Sequence, residues 1–121
     1  MTTTFDDPIY FLAIDNGTQS VRALIFDQFG IEIAKARVPI EPYFSEQPNF
    51  AEQHADYYWQ KLSEACQQLW HISAITPEEI AGVSLATQRY TMICLDKTSN
   101  RCALLLFGWI CAAAKPTILV F

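Results

Sequence analysis

The sequence predicts an α/β domain assembled in the order βββαβ, and three observations carry that prediction. Three short apolar runs, Tyr10 to Asp15, Val21 to Asp27 and Ile31 to Val38, follow one another across links too short for a crossover, which implies an antiparallel meander. From Ala55 to about Trp70 the apolar positions Tyr58, Leu62, Ala65, Cys66 and Leu69 recur in steps of three and four, the spacing of one helix face. Ile80 to Gln88 then reads as a buried strand and Thr91 to Asp96 as another.

Each element has a local cause. Asn16-Gly17 joins the first two runs and is also the commonest signal for an ordinary two-residue hairpin. Gly30 turns the chain between the second and third runs. Pro39, Pro42 and Pro48 disfavour regular structure from Pro39 to Asn49, where two aromatics suggest a packed loop. Trp59 and Trp70 are expected to widen the apolar face of the helix. Thr76-Pro77-Glu78-Glu79 places a capping hydroxyl, a proline at the first helical position and a glutamate three residues after the cap, so a short helical turn should begin there. Gln88-Arg89-Tyr90 marks the break between the last two strands.

Bulk composition bounds the rest. With 121 residues, 51% apolar and 13% aromatic, the chain suits one domain with a real core. A net charge of -5 and the lack of a Lys/Arg cluster argue against nucleic acid or an anionic membrane as partner. Small-molecule chemistry fits better. The N-terminal residues carry no basic n-region, and the apolar run Ile9 to Ile14 is shorter than a signal-peptide core, so a cytoplasmic protein is expected. Cys66, Cys94, Cys102 and Cys111 show no Cys-x-x-Cys spacing, and neither His54 nor His71 is spaced with them as a zinc ligand. Reduced, mostly buried cysteines are the expectation.

The chemistry concentrates between Asp15 and Arg22. Two strand-like runs flank a tight turn that offers backbone amides, the hydroxyls of Thr18 and Ser20, and the Arg22 guanidinium to an anion. Asp15, at the strand end, is placed to hold a divalent metal or its water. Asn16-Gly17-Thr18 also fits a glycosylation sequon, a reading discarded for want of a secretory signal.

The order Asp-x-Gly-Thr-x-Ser-x-Arg, followed at once by a second apolar strand ending in Asp27, resembles the first phosphate motif of the FGGY carbohydrate kinases. Further features repeat the pattern in order. Asn49-Phe50-Ala51-Glu52-Gln53 ahead of Tyr57-Tyr58-Trp59 looks like the family's Gly-Trp-x-Glu-Gln segment, with Asn49 for Gly and Phe50 for Trp. Ile80 to Arg89 and Thr91 to Asp96 look like its substrate-side strand pair. Tyr90 stands where glycerol kinases have a glutamate, and the Met-His pair of xylulokinases is absent.

The resemblance implies a partial ribonuclease H-like domain of the actin-like ATPase superfamily. It also implies ATP and Mg²⁺ as cofactors of the complete enzyme, with a sugar or polyol as substrate. By resemblance, Asp15 would organise the metal-bound phosphate, Gly17, Thr18, Gln19 and Ser20 would line the ATP phosphates, and Arg22 would add charge. Gln88, Arg89 and Tyr90 would orient the polyol. The plainer alternatives are that Arg22 sits on a solvated strand face and that Gln88-Arg89-Tyr90 is a polar turn. The catalytic base and most of the nucleotide site lie beyond the matching residues, so no catalytic residue is assigned and the 121-residue chain is not expected to turn over substrate.

The kinase-like segment runs over residues 9–97, and residues 98–121 read as an aberrant apolar tail. The family expects a Pro-x-Ile-x-Trp-x-Asp-x-Arg strand there. Joining the third base of each codon to the first two of the next lets Phe107|Gly108 give tryptophan, forces Trp109|Ile110 to aspartate and lets Cys111|Ala112 give arginine, so Trp-x-Asp-x-Arg returns. A single-base frameshift near Lys97 is the reading. A membrane anchor over Cys102 to Ala114 is rejected, because thirteen residues fall short of the roughly 20 a spanning helix needs. Two alternatives of another class stand: a non-catalytic phosphate- or sugar-binding half-domain, and the nonfunctional product of a decayed gene.

Overall fold

The computed structural model describes residues 7–41, 52–88, 91–93, 95–98, 100 and 105–107. Along the chain lie β1 (Tyr10–Asn16), β2 (Ser20–Asp27), β3 (Glu32–Pro39), β4 (Glu52–Gln53), helix α1 (Ala55–Ile72), a 3-10 turn (Pro77–Glu79), β5 (Ile80–Ala86), β6 (Thr91–Met92) and β7 (Leu105–Phe107). They fall into two compact units, Met1–Ile40 with Lys61–Thr87 and Glu41–Gln60 with Gln88–Phe121.

The first unit holds a four-stranded sheet in the order β3-β2-β1-β5. As the short links dictate, β1–β2 and β2–β3 are antiparallel. β5 returns to lie parallel to β1, a pairing that only a long crossover can supply, and α1 lies in that crossover. The register places Leu12 opposite Ile25 and Ile25 opposite Ala34, so the apolar members of three strands share one face. Val21, Ala23 and Ile25 are wholly enclosed, as are Ala65 and Leu69 of α1. A groove bounded by Ala36 of β3 and by Gln68 and Ile72 of α1 marks where the helix runs beside the sheet. Each fully buried Leu, Ile or Val contributes roughly 1.5–3 kcal/mol.

Turn chemistry joins β2 to β3. The Asp27 carboxylate accepts from the amides of Phe29 and Ile31, both at 2.9 Å. Gly30 takes φ +80°, a region that side chains disfavour. Before β5 the expected capping pattern forms as a single 3-10 turn. The Thr76 amide donates to the Glu79 carboxylate at 2.7 Å, and the Glu79 amide donates back to the Thr76 carbonyl at 3.1 Å.

Several expectations need correction. Ile80 to Gln88 reads as a buried strand, yet β5 stops at Ala86 and leaves Val83 65% and Leu85 55% exposed. The reason is position: among the described residues β5 lies at the edge of the sheet and pairs with β1 alone. Its sequence, Ile-Ala-Gly-Val-Ser-Leu-Ala, has none of the charges or prolines that protect an edge, whereas β3 at the opposite edge carries Glu32, Lys35, Arg37 and Pro39. Trp59 does not widen the buried helix face; it is 68% exposed, one position round from the buried Tyr58. Pro39 closes β3 instead of opening the loop, whose residues 42–50 lie outside the described ones.

The second unit contains a small antiparallel sheet in the order β4-β7-β6. Neither β4 nor β7 was legible as a strand. The β7 residues fall within the segment read as an out-of-frame tail, and they pair with both Glu52–Gln53 and Thr91–Met92. Of the expected strand to Asp96, β6 covers Thr91–Met92, Leu95 forms a single bridge and Cys94 lies outside the described residues. Asp96 then closes a turn, its carboxylate accepting from the amides of Thr98 at 2.8 Å and Asn100 at 2.9 Å. Hydrogen bonds from the Thr98 hydroxyl and from these amides hold the Asp96 carboxyl below its ordinary range. In the same unit the Glu41 amide donates to the Tyr57 hydroxyl at 2.7 Å, and Tyr57 meets Tyr58 edge-on. Of the four cysteines, Cys66 is a free, partly buried thiol, and Cys94, Cys102 and Cys111 lie outside the described residues.

Two measurements check this packing. Leu69→Ala is expected to lower the unfolding free energy by about 2–5 kcal/mol in urea titrations, because it opens a cavity in the only enclosed face of the sheet's helix. Burial pushes the Cys66 thiol up. In a chain retaining Cys66 alone, alkylation by iodoacetamide should be slower than for a free cysteine near neutral pH and should rise only at a higher pH. The linked stability is complete below the ordinary thiol value and falls as pH rises through it, since the unfolded chain then releases its proton first.

Candidate functional site

The β1–β2 ladder ends at the pair Asn16↔Val21, and the chain must reverse over the next four residues. It does so by a bond from the Gly17 amide to the Ser20 carbonyl at 3.1 Å. A Cβ on residue 17 would sit 2.9 Å from that same oxygen, so only glycine fits. The Ile40 amide, just past β3, donates to the Gln19 carbonyl at 2.9 Å and braces the turn from the side. The loop is therefore wider than the two-residue Asn-Gly hairpin that the local sequence also allows.

This bracing leaves the tip open. Thr18 and Gln19 are exposed, and their amides meet no protein acceptor among the described residues. Unpaired amides in a fixed turn form a concavity of positive partial charge. Beside it, Arg22 Nη1 donates to Asp15 Oδ2 at 3.0 Å, and both side chains are close to half exposed. An ion pair so wet is worth about 0–1 kcal/mol. It therefore orders two side chains without contributing much to stability. The solvated-face alternative for Arg22 is thus half realised: the residue is exposed, but its charge is directed onto the candidate metal-holding carboxylate.

Ser20 behaves differently from its neighbours. It is 4% exposed, and its Oγ accepts from Arg37 Nε at 3.2 Å. The register sets Asp15 opposite Arg22 and Arg22 opposite Arg37, a row of three ionised groups across β1, β2 and β3. Asn16, on the neighbouring position of β1, keeps an enclosed Oδ1 with no hydrogen-bond partner. Such an orphaned acceptor normally costs about 1–3 kcal/mol. Sequence reasoning missed both Arg37 and Asn16. The signal for Arg37 was present, because counting residue pairs through the two hairpins puts it in register with Arg22.

In the second unit, Gln88 Oε1 accepts from the Thr91 hydroxyl at 2.9 Å. The Tyr58 phenol is pushed up by burial, and a hydrogen bond from the Gln88 side chain opposes that shift. Arg89 and Tyr90 lie outside the described residues. The structure thus brings together Asp15, Gly17, Thr18, Gln19, Ser20 and Arg22 within one turn and its flanking strands, and anchors Gln88 within a different set of contacts.

Comparison with known proteins identifies the family. The sequence model of the FGGY family of carbohydrate kinases, N-terminal domain, matches residues 10–117. Glycerol kinase of Ligilactobacillus salivarius is 38% identical over 91 residues, which are 75% of this chain and 18% of that protein. Glycerol kinase of Enterococcus casseliflavus is 35% identical over 92 residues, with 76% and 18% covered. Among solved structures, xylulose kinase from Rhodospirillum rubrum superposes with a TM-score of 0.72 at 18% identity, over 85% of this chain and 21% of that one. Glycerol kinase from Plasmodium falciparum, solved with ADP, gives 0.65 at 17%, over 83% and 20%. The sheet and helix are those of the ribonuclease H-like, actin-like ATPase fold, and the chain spans about a fifth of the length of these relatives. That fold and a family match over most of its length lead to one conclusion: this chain belongs to the FGGY family of carbohydrate kinases and corresponds to part of their N-terminal domain.

Proposed function

We propose that this polypeptide is the N-terminal part of an ATP-dependent kinase that phosphorylates a sugar or polyol hydroxyl, with the β1–β2 turn as its phosphate-holding element. The observation that carries this reading is the pair of exposed, unpartnered amides at Thr18 and Gln19, on a turn held by backbone bonds and flanked by Asp15 and Arg22.

The residues present fit the implied groups. The Asp15 carboxylate is a hard oxygen donor of the kind that holds Mg²⁺ through its waters, whereas Asn16 Oδ1 is enclosed and falls on the other face of β1. The amides of Thr18 and Gln19 suit phosphate oxygens, and Gly17 lets the backbone come close. Mg²⁺ held beside Asp15 would supply charge neutralisation to the phosphates. This chain's own task is placement. The turn fixes the phosphates, Arg22 adds charge while steering Asp15, and Gln88, with Arg89 and Tyr90 beside it, orients the acceptor hydroxyl. No base that could take the hydroxyl proton is assigned within the chain, so turnover belongs to the complete enzyme. Such a kinase would work in the cytoplasm, where ATP is supplied.

Residues 98–121 are proposed to be out of frame, on the strength of the regrouped Trp-x-Asp-x-Arg spacing. The pairing of β7 and a family match that runs to residue 117 are the observations on the other side. Sequencing the gene past the codon for Asp96 decides it: a kinase-like continuation in another frame supports the shift, and one in the written frame removes it. A half-domain that binds phosphate without turnover is the second reading, favoured by a well-formed turn in a chain with no assigned base.

Titration of the isotope-labelled chain with Mg·ATP tests the phosphate role. The amide resonances of Thr18 and Gln19 should move first and saturably, and Asp15→Asn should weaken the response. Gly17→Ala should abolish it and lower stability by about 1–3 kcal/mol, as overpacking against the Ser20 carbonyl does. Shifts spread evenly over the surface, or none at the turn, would sink the assignment.

A further inference from the structure

We propose that Arg37 is an additional member of the phosphate site: it holds the Ser20 hydroxyl and supplies the positive charge that the Asp15–Arg22 pair lacks for a polyphosphate anion at the β1–β2 turn. The proposal rests on the phosphate reading above and extends it to a residue on the third strand.

Charge and register carry it. Asp15, Arg22 and Arg37 stand in one row across three strands. Asp15 is ion-paired with Arg22 at 3.0 Å, so one carboxylate faces two guanidinium groups and one positive charge is left over. Two arginines directly opposite each other repel, and an ordinary solvated sheet face would set opposite charges there. The nearby Lys35 shows the ordinary arrangement, paired with Glu32 of its own strand at 3.1 Å. Among the described residues no carboxylate forms an ion pair with Arg37.

Geometry adds a second reason. Arg37 uses Nε on Ser20 Oγ at 3.2 Å, and Ser20 is enclosed at the foot of the turn whose tip amides are open. With Nε committed, the two terminal nitrogens of a planar, permanently charged fork are left to address phosphate oxygens. A lysine at this position would keep the charge but not the bond through Nε. The same contact explains why Ser20, a candidate phosphate ligand, points its hydroxyl toward β3: the serine is held by Arg37, and the pair acts as one unit.

Isothermal titration of the full chain with inorganic tripolyphosphate at low salt tests this, using Arg37→Gln, Arg37→Lys, Lys35→Gln and Ser20→Ala. Arg37→Gln should weaken binding about tenfold, the loss expected of one charge-assisted contact, and flatten the salt dependence. Arg37→Lys should fall between, and Lys35→Gln should match the wild type. Adding Ser20→Ala to Arg37→Gln should cost less than Ser20→Ala alone, because the two residues share one contact. Equal binding by Arg37→Gln and Lys35→Gln, with the wild type binding, overturns the proposal and leaves the phosphate turn standing. If Arg37→Gln does not fold, Arg37→Lys decides: wild-type affinity with an unmoved Ser20 amide resonance overturns it. No binding by the wild type overturns the phosphate reading itself, and this inference with it.

Discussion

Strand β2 has two faces that must be right at the same time, and the rest of the first unit depends on that alternation. Val21, Ala23 and Ile25 share one face and are wholly enclosed, while Arg22 on the opposite face meets Asp15. A side-chain period of two makes the register all-or-none: a one-residue slip would drive Arg22 into the apolar layer and push three branched or small apolar residues into water. The desolvation of one buried guanidinium outweighs any hairpin hydrogen bond lost or gained. The core therefore fixes the ionic row, and the row needs little stability of its own.

The site inherits its stiffness from this arrangement. An exposed ion pair such as Asp15–Arg22 is weak, and the open amides of Thr18 and Gln19 meet no acceptor among the described residues. What holds the turn is backbone: the Gly17–Ser20 bond across its neck and the Ile40–Gln19 bond from the end of β3. The third strand thus takes part twice, through the Ile40 amide and through the Arg37 bond to Ser20. A hairpin without β3 would present the same motif with far less definition. The open edge at β5 shows the other side of the design: its uncharged sequence suits a strand with neighbours on both sides, and here it has one.

Much of this was legible in the sequence, because strong local signals and tertiary burial agree. The three meander strands, the helix beginning at Ala55, the Gly30 turn and the Thr76–Glu79 capping pattern follow from period and turn chemistry within a residue or two. The reversal between Asp15 and Arg22 was legible as a turn joining two strands, whereas its width, set by the Gly17–Ser20 bond, was not. What escaped depended on pairing at a distance. The two-residue strand β4 and the three-residue β7 have no period to detect, and exist through each other. Exposure of Val83 and Leu85 follows from an edge position that a single apolar run cannot reveal. The turn in which Asp96 accepts from the Thr98 and Asn100 amides looks like any polar turn in sequence. Arg37 was overlooked because its importance lies in what stands two strands away.

The neck of the β1–β2 turn has a consequence for how this surface can change. Its shape is written in main-chain atoms and one mandatory glycine, so the side chains at positions 18 and 19 carry none of the folding burden. Exchanging them alters size, charge and hydroxyl count at the tip while the amides keep their places. Side-chain identity and foldability are thereby uncoupled at two adjacent residues, which makes this the part of the domain where surface chemistry can change at the least structural risk.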